Sequence, residues 1–122
     1  MQREGHFFDY GDPYGSVWDV QDIAHGLSQI ARYLGQGAAP YTVAQHSVNV
    51  AKAVAATQAG SPTAKAFELA ALCHDAHEFA VGDLPSPMKT MLPDYVMLEA
   101  IVEDAVRRQL GVTDSLAAWT II

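Results

Sequence analysis

Apolar residues recur every three or four positions through four stretches of this chain, and no two stretches alternate as paired strands would. That spacing restricts the chain to helices packed on helices. Asp19 is placed to cap a first helix over residues 20–34, with Ile23, Leu27, Ile30, Ala31 and Leu34 on one face and Gly35 as its stop. Thr42 followed three residues on by Gln45 makes a capping box, opening a second helix that reaches residue 58 and turns Val43, Val50 and Val54 inward. Ser61-Pro62 starts a third, since proline at the first helical position loses no hydrogen bond. It carries Phe67, Leu69, Ala70, Leu72 and Cys73 to about residue 80, and Gly82 ends it. Pro85 and Pro87 bracket a turn with one short helical turn over 87–91. The last long helix, over 94–110, buries Leu98, Ile101, Val102, Ala105 and Val106 and closes at Gly111. Thr113 caps a further helix through Ala117 and Trp119. Residues 1–18, with Phe7, Phe8, Tyr10 and Trp18 among turn formers, read as an irregular lead packed on a bundle spanning 19–122. The expected fold is one all-α domain.

With 122 residues, half of them hydrophobic, the chain is long enough for one real core. A formal net charge of -7 argues against stable nucleic-acid binding, which needs a basic footprint. It leaves room for a small phosphorylated substrate, whose charge a metal and one or two cations neutralise locally. Cys73 is the single cysteine, so no intrachain disulfide forms and a reducing compartment fits. No apolar run reaches membrane-spanning length, and the first residues lack the core of a signal peptide. A soluble, cytoplasmic protein with no membrane association is expected.

The dipeptide His74-Asp75 carries the chemistry. Adjacent ionisable groups on an apolar helix are costly to bury unless something pairs with them, and a divalent metal takes an imidazole nitrogen and a carboxylate oxygen together. Glu78 lies three and four residues on and reaches the same side, and Asp83 follows Gly82. His46 sits on the preceding helix, which an antiparallel pairing with a short connection would bring back to this point. The set points to a metal held by His46, His74 and Asp75. A carboxylate beside a metal takes a proton from a water whose pKa falls from about 15.7 toward about 7.

Three blocks in order carry a resemblance: Tyr41-Thr42-Val43-Ala44-Gln45-His46-Ser47-Val48, Leu72-Cys73-His74-Asp75-Ala76-His77-Glu78, and Gly82-Asp83-Leu84-Pro85-Ser86-Pro87-Met88-Lys89. With Asp22-Ile23-Ala24-His25-Gly26-Leu27 and Arg32-Tyr33 upstream, the chain resembles the HD-domain phosphohydrolases, in the branch of bacterial 5′-deoxynucleotidases and phage dATP triphosphohydrolases. The resemblance implies an HD-domain helical bundle and one divalent metal ion (Mn, Co, Zn or Mg) on His46, His74 and Asp75. It implies that Glu78 handles the attacking water and that Asp83 assists at phosphorus or binds a sugar hydroxyl. Arg32 falls where the deoxynucleotidases carry a substrate-binding arginine, and its guanidinium fork matches a phosphate. Lys89 follows the Pro-Ser-Pro turn within reach of a phosphate oxygen. The implied activity is hydrolysis of a nucleotide substrate, releasing either triphosphate from a dNTP or phosphate from a dNMP, with the phage-like lead favouring the first. The family often forms homo-oligomers.

The family pattern also has a fourth metal ligand, an Asp in a Lys-x-Ala-Asp-like block. Neither late aspartate supplies it: Asp104 lies among Glu103, Arg107 and Arg108 as an ion-paired face, and Asp114 sits at a helix start. The expectation is therefore a bundle truncated before its last helices. The alternative function is a catalytically incomplete HD domain that binds nucleotide or metal, or forms part of a larger assembly. Blander readings stand beside the rest. Arg32 is a charge that favours a helix C-terminus, Lys89 is solvated, His77 faces solvent, His25 packs through a hydrogen bond, and Cys73 is core.

Overall fold

The computed structural model of this chain describes residue 6 and residues 8–112. Six helices follow one another: α1 (Val20–Gln29), α2 (Val43–Thr57), α3 (Ala64–Cys73), α4 (Glu78–Val81), α5 (Ser86–Lys89) and α6 (Pro93–Leu110). Single 3-10 turns occupy Pro13–Gly15 and Arg32–Gly35. Among the described residues there is no strand, and the fold is all-α as the spacing requires. No helix among them is long and apolar enough to cross a membrane. The expected helix after Thr113, with Asp114, Ala117 and Trp119, lies outside the described residues, as does Phe7.

The caps behave as their chemistry dictates. Asp19 accepts from the Asp22 backbone while Asp22 reaches back to the Asp19 amide, a full capping box at the start of α1. Thr42 and Gln45 do the same for α2. Gly111 closes α6 in the left-handed conformation that glycine adopts without strain. The expected third helix starts later than its proline: Thr63 precedes the first helical residue, Ala64.

Two helices are shorter than their apolar spacing suggests. The first does not reach residue 34. Ile30 is extended, and Tyr33 and Leu34 take positive φ values of 57° and 54°, which reverse the chain. The Arg32 amide donates to the Tyr41 carbonyl at 2.8 Å and the Val43 amide to Ile30 at 2.9 Å. An isolated antiparallel bridge between Ala31 and Thr42 thus pins the exit of α1 to the entry of α2. The third helix does not reach residue 80. It stops at Cys73, and tight turns carry the chain to α4: the Ala76 amide donates to Cys73 and the Glu78 amide to Asp75.

The main core gathers Phe8 from the lead, Ile23 and Leu27 from α1, Val43, then Ala76, Phe79 and Ala80, and Val102 and Val106 from α6. Phe8 meets Phe79 edge to face, with centroids 5.8 Å apart, and Trp18 packs on the same ring. The lead is therefore part of the core. A second cluster joins α2 and α3 through Ala51, Val54 and Ala71. His46 at the start of α2 faces His74 at the end of α3, so these helices run in opposite directions. Leu69, Leu72 and Ile101, expected inside, are 48%, 42% and 45% exposed.

Gly26 lets α1 cross α4 closely: a Cβ there would stand 2.9 Å from the Phe79 Cβ and 3.3 Å from its Cα. Alanine gains about 1 kcal/mol of helix propensity at such a site. Overpacking against a backbone that cannot yield costs about 1–3 kcal/mol. Gly26→Ala is expected to lower the melting temperature by several degrees in a thermal melt; a raised melting temperature would show that α1 and α4 have slack.

Candidate metal centre and its clefts

His46, His74 and Asp75 offer three ligand atoms that all lie within 4.8 Å of one another. His46 comes from the first turn of α2, and His74 and Asp75 from the turn that ends α3. One carboxylate oxygen is the hub. Asp75 Oδ2 stands 3.0 Å from His74 Nε2 and 3.4 Å from His46 Nε2. Two nitrogens and an oxygen so spaced are separated as ligands around one first-row divalent ion are, with bonds of about 2.0–2.2 Å. All three side chains keep some exposure, so the cluster is open to solvent on one side.

The outer partners of the two histidines differ. His74 Nδ1 donates to the Ala71 carbonyl at 2.6 Å. That bond fixes its ring and leaves Nε2 aimed at Asp75, the usual support of a metal-binding histidine. His46 Nδ1 instead faces a donor, Arg32 Nη1, at 2.6 Å.

Burial depresses the His46 pKa first, and the Arg32 charge beside it second. For His74 burial also pulls downward, but the hydrogen bond and charge of Asp75 and the Ala71 carbonyl outweigh it and raise the pKa. Asp75 is the reverse case: burial alone would raise it, and His74 first, then a hydrogen bond with Glu78 and the charge of His46, hold it down at about 2. His74 and Asp75 thus favour each other's charged forms.

Glu78 is the most perturbed group. It is 5% exposed, and its Oε1 has no hydrogen-bond partner. Burial, then the charges of Asp75 and Asp83, push its carboxyl far above the ordinary range. Asp83 is raised as well, by burial first, although Arg32 opposes the shift.

Two clefts open beside the cluster. The first, about 270 Å³, is lined by His74, Asp75, His77, Glu78, Lys89, Glu99 and Glu103. The second is bounded by Arg32, Tyr33, Asp83 and the Leu84-Pro85-Ser86-Pro87 segment. Arg32 Nε lies 3.8 Å from Asp83 Oδ2, and its guanidinium stacks 4.8 Å over the Tyr33 ring.

All seven residues singled out in the sequence therefore fall at this locus, divided between the cluster and its clefts. Lys89 is not a loose solvated charge: its Nζ donates to Glu99 Oε2 at 3.0 Å. His77 does not face solvent. It is buried and contacts the same oxygen of Glu99 at 3.3 Å. His25 is exposed and lines neither cleft. Cys73 is half-buried at the rim of an apolar groove, its thiol pushed up by burial. Asp104 pairs with Arg108 at 2.8 Å and Arg107 at 3.9 Å on the outer face of α6, as expected.

Sequence reasoning missed Glu99 and Glu103. Their spacing of four on α6 was the available signal, but it is shared by any solvated face. It also missed Tyr95, whose hydroxyl donates to the Val81 and Gly82 carbonyls and so holds the segment that presents Asp83.

A second group, His6, Asp19 and Asp22, brings three ligand atoms equally close. Its two carboxylates are already committed to the α1 capping box, and His6 Nδ1 sits 2.6 Å from Asp22.

No family model matches the chain. The chain is similar to two curated bacterial proteins. One is an uncharacterized protein of Rhodobacter capsulatus, 37% identical over 117 residues, covering 93% of this chain and 59% of that protein. The other is the uncharacterized protein YfdR of Escherichia coli, 39% identical over 92 residues, covering 75% of this chain and 47% of that protein. The chain thus spans about half the length of the curated relatives it matches.

Proposed function

We propose that this chain is the metal-binding part of an HD-type phosphohydrolase that acts on (deoxy)nucleotides. The observation that carries the reading is the convergence of His46 Nε2 and His74 Nε2 on Asp75 Oδ2, beside a buried carboxyl with a free oxygen. The donor set fits a divalent ion of the Mn, Co, Zn or Mg class, with open positions left for water and substrate. Such an ion, when bound, supplies Lewis acidity to a phosphoryl oxygen and acidifies a water.

The remaining work falls to the chain. Glu78 releases its proton to the solvent of the first cleft once the charge of Asp75 beside it is neutralised, and Oε1 would then accept the proton of the attacking water. Arg32 offers its fork to a phosphate from the second cleft, where Asp83 takes a sugar hydroxyl. Lys89, held in place by Glu99, meets a phosphate oxygen in the first cleft. The reading includes a cytoplasmic setting and assembly into a homo-oligomer.

The second reading, a module that binds nucleotide or metal without turnover, is favoured by one observation: a guanidinium occupies the outer nitrogen of His46. Hydrolysis of each dNTP and dNMP with Mn²⁺, Co²⁺, Zn²⁺ and Mg²⁺ separates the two. Release of triphosphate or of inorganic phosphate supports the enzyme. Saturable metal binding with no turnover on any substrate would leave the binding module.

A further inference from the structure

The two histidines of the cluster cannot both be ready for a metal. A neutral imidazole carries one ring proton, and an arginine only donates. Because Arg32 Nη1 donates to His46 Nδ1, the His46 proton resides on Nε2, the nitrogen that points at Asp75. His74 has the opposite arrangement, with its Nδ1–H on the Ala71 carbonyl. A metal ligand needs a lone pair where His46 has its proton. Moving that proton to Nδ1 would set two donors against each other at 2.6 Å, so the Arg32 contact must break.

The guanidinium has somewhere to go. Asp83 Oδ2 lies 3.8 Å from its Nε, and both residues line the second cleft with Tyr33 and Ser86. We propose that Arg32 is a coupling element: a divalent cation at His46, His74 and Asp75 displaces it from His46, and the freed guanidinium anchors an oxyanion of the phosphate class in the second cleft. The inference rests on the metal-site reading above and deepens it. Cation and oxyanion then assist each other's binding, and linkage makes the assistance reciprocal.

The test uses the full chain, Zn²⁺ and inorganic phosphate. Long-range proton–nitrogen spectra of the imidazoles report which nitrogen of His46 holds the proton. The expected result is Nε2–H before Zn²⁺ and Nδ1–H at saturation, with the Arg32 side-chain signals shifting in step. Calorimetry is expected to show Arg32→Met binding Zn²⁺ several-fold more tightly than wild type. Arg32→Met should also lose most of the roughly 10-fold mutual tightening between Zn²⁺ and phosphate expected of the wild type. Lys89→Met removes a cation from the other cleft and controls for simple charge. If it raises Zn²⁺ affinity as much as Arg32→Met does, or if His46 carries Nδ1–H before metal is added, the coupling is overturned. Zn²⁺ binding to wild type without the proton shift sinks the coupling alone. Failure of wild type to bind Zn²⁺ sinks the metal site and the coupling together.

Discussion

Asp75→Ala is expected to reduce divalent-metal affinity by more than 10²-fold and to abolish any turnover the metal supports. The magnitude follows from position. Partners that only orient a ligand are worth 10–100-fold in affinity, and Asp75 Oδ2 is itself the oxygen shared by both histidine Nε2 atoms. Without it two imidazoles remain, with no anion to balance the ion. Calorimetric titration with Zn²⁺ or Mn²⁺ reads the loss directly; an affinity within a few-fold of wild type would place the metal elsewhere.

The same change alters stability in metal-free protein, with a sign that can be worked out. The Asp75 carboxyl sits lower in the folded chain, at about 2 against an ordinary 3.8, so its contribution is present above 3.8 and lost as pH falls toward 2. His74 is raised by the same contact, so its share is present below 6.5 and lost as pH climbs through its folded value. These describe one ion pair seen from two partners. It is strongest between the two limits, and Asp75→Ala should cost about 1–3 kcal/mol there, measured by denaturant unfolding at pH 5.

Glu78→Gln is expected to separate activity from stability. With the role proposed for Glu78, its loss lowers kcat by about 10²–10⁴-fold, while the fold should become more stable at alkaline pH. Glu78 keeps its proton when folded and loses it when unfolded above about 4.5, so folding grows less favourable as pH rises from there through neutrality. Glutamine has no proton to lose. The variant should gain as much as about 5 kcal/mol over wild type at pH 8 in metal-free protein, and nothing at pH 4. Parallel melts at the two pH values decide the matter: equal melting temperatures at pH 8 would show that Glu78 is not held protonated by burial. A gain in stability with unchanged turnover would remove Glu78 from the mechanism.

Much of the helix plan was legible because caps are local chemistry. Asp19 and Thr42 act on amides three residues away, and Gly111 turns the chain within its own residue. The interruption after Cys73 was not legible. His74-Asp75-Ala76-His77 contains no glycine or proline, and its apolar flanks continue a helical spacing. The break places Phe79 against Phe8, Trp18 and Gly26, a demand set by residues more than fifty positions away. The end of α1 was missed for a related reason. Ala31 pairs with Thr42 across the connection, and that bridge overrides the helical preference of the 30–34 segment.

The triplet His46, His74 and Asp75 could be named from residue type alone as a group able to hold a metal, since few side chains bind a divalent ion. The partners of Lys89 and His77 could not. Both contact one oxygen of Glu99, which arrives on α6 and looks in sequence like any exposed glutamate.

The sequence by itself determined the helical class, the caps that start α1 and α2, and the identity of the groups able to hold a metal. Each depends on a residue's own chemistry or on neighbours within one turn. Only the tertiary structure decided which atoms meet: both histidine Nε2 atoms on Asp75 Oδ2, a free Glu78 oxygen beside them, and Arg32 on the outer nitrogen of His46. Those meetings require α2 and α3 to run in opposite directions and the Ala31–Thr42 bridge to fold Arg32 back. Contacts across such separations are selected by burial and packing of the whole chain, which no local pattern encodes.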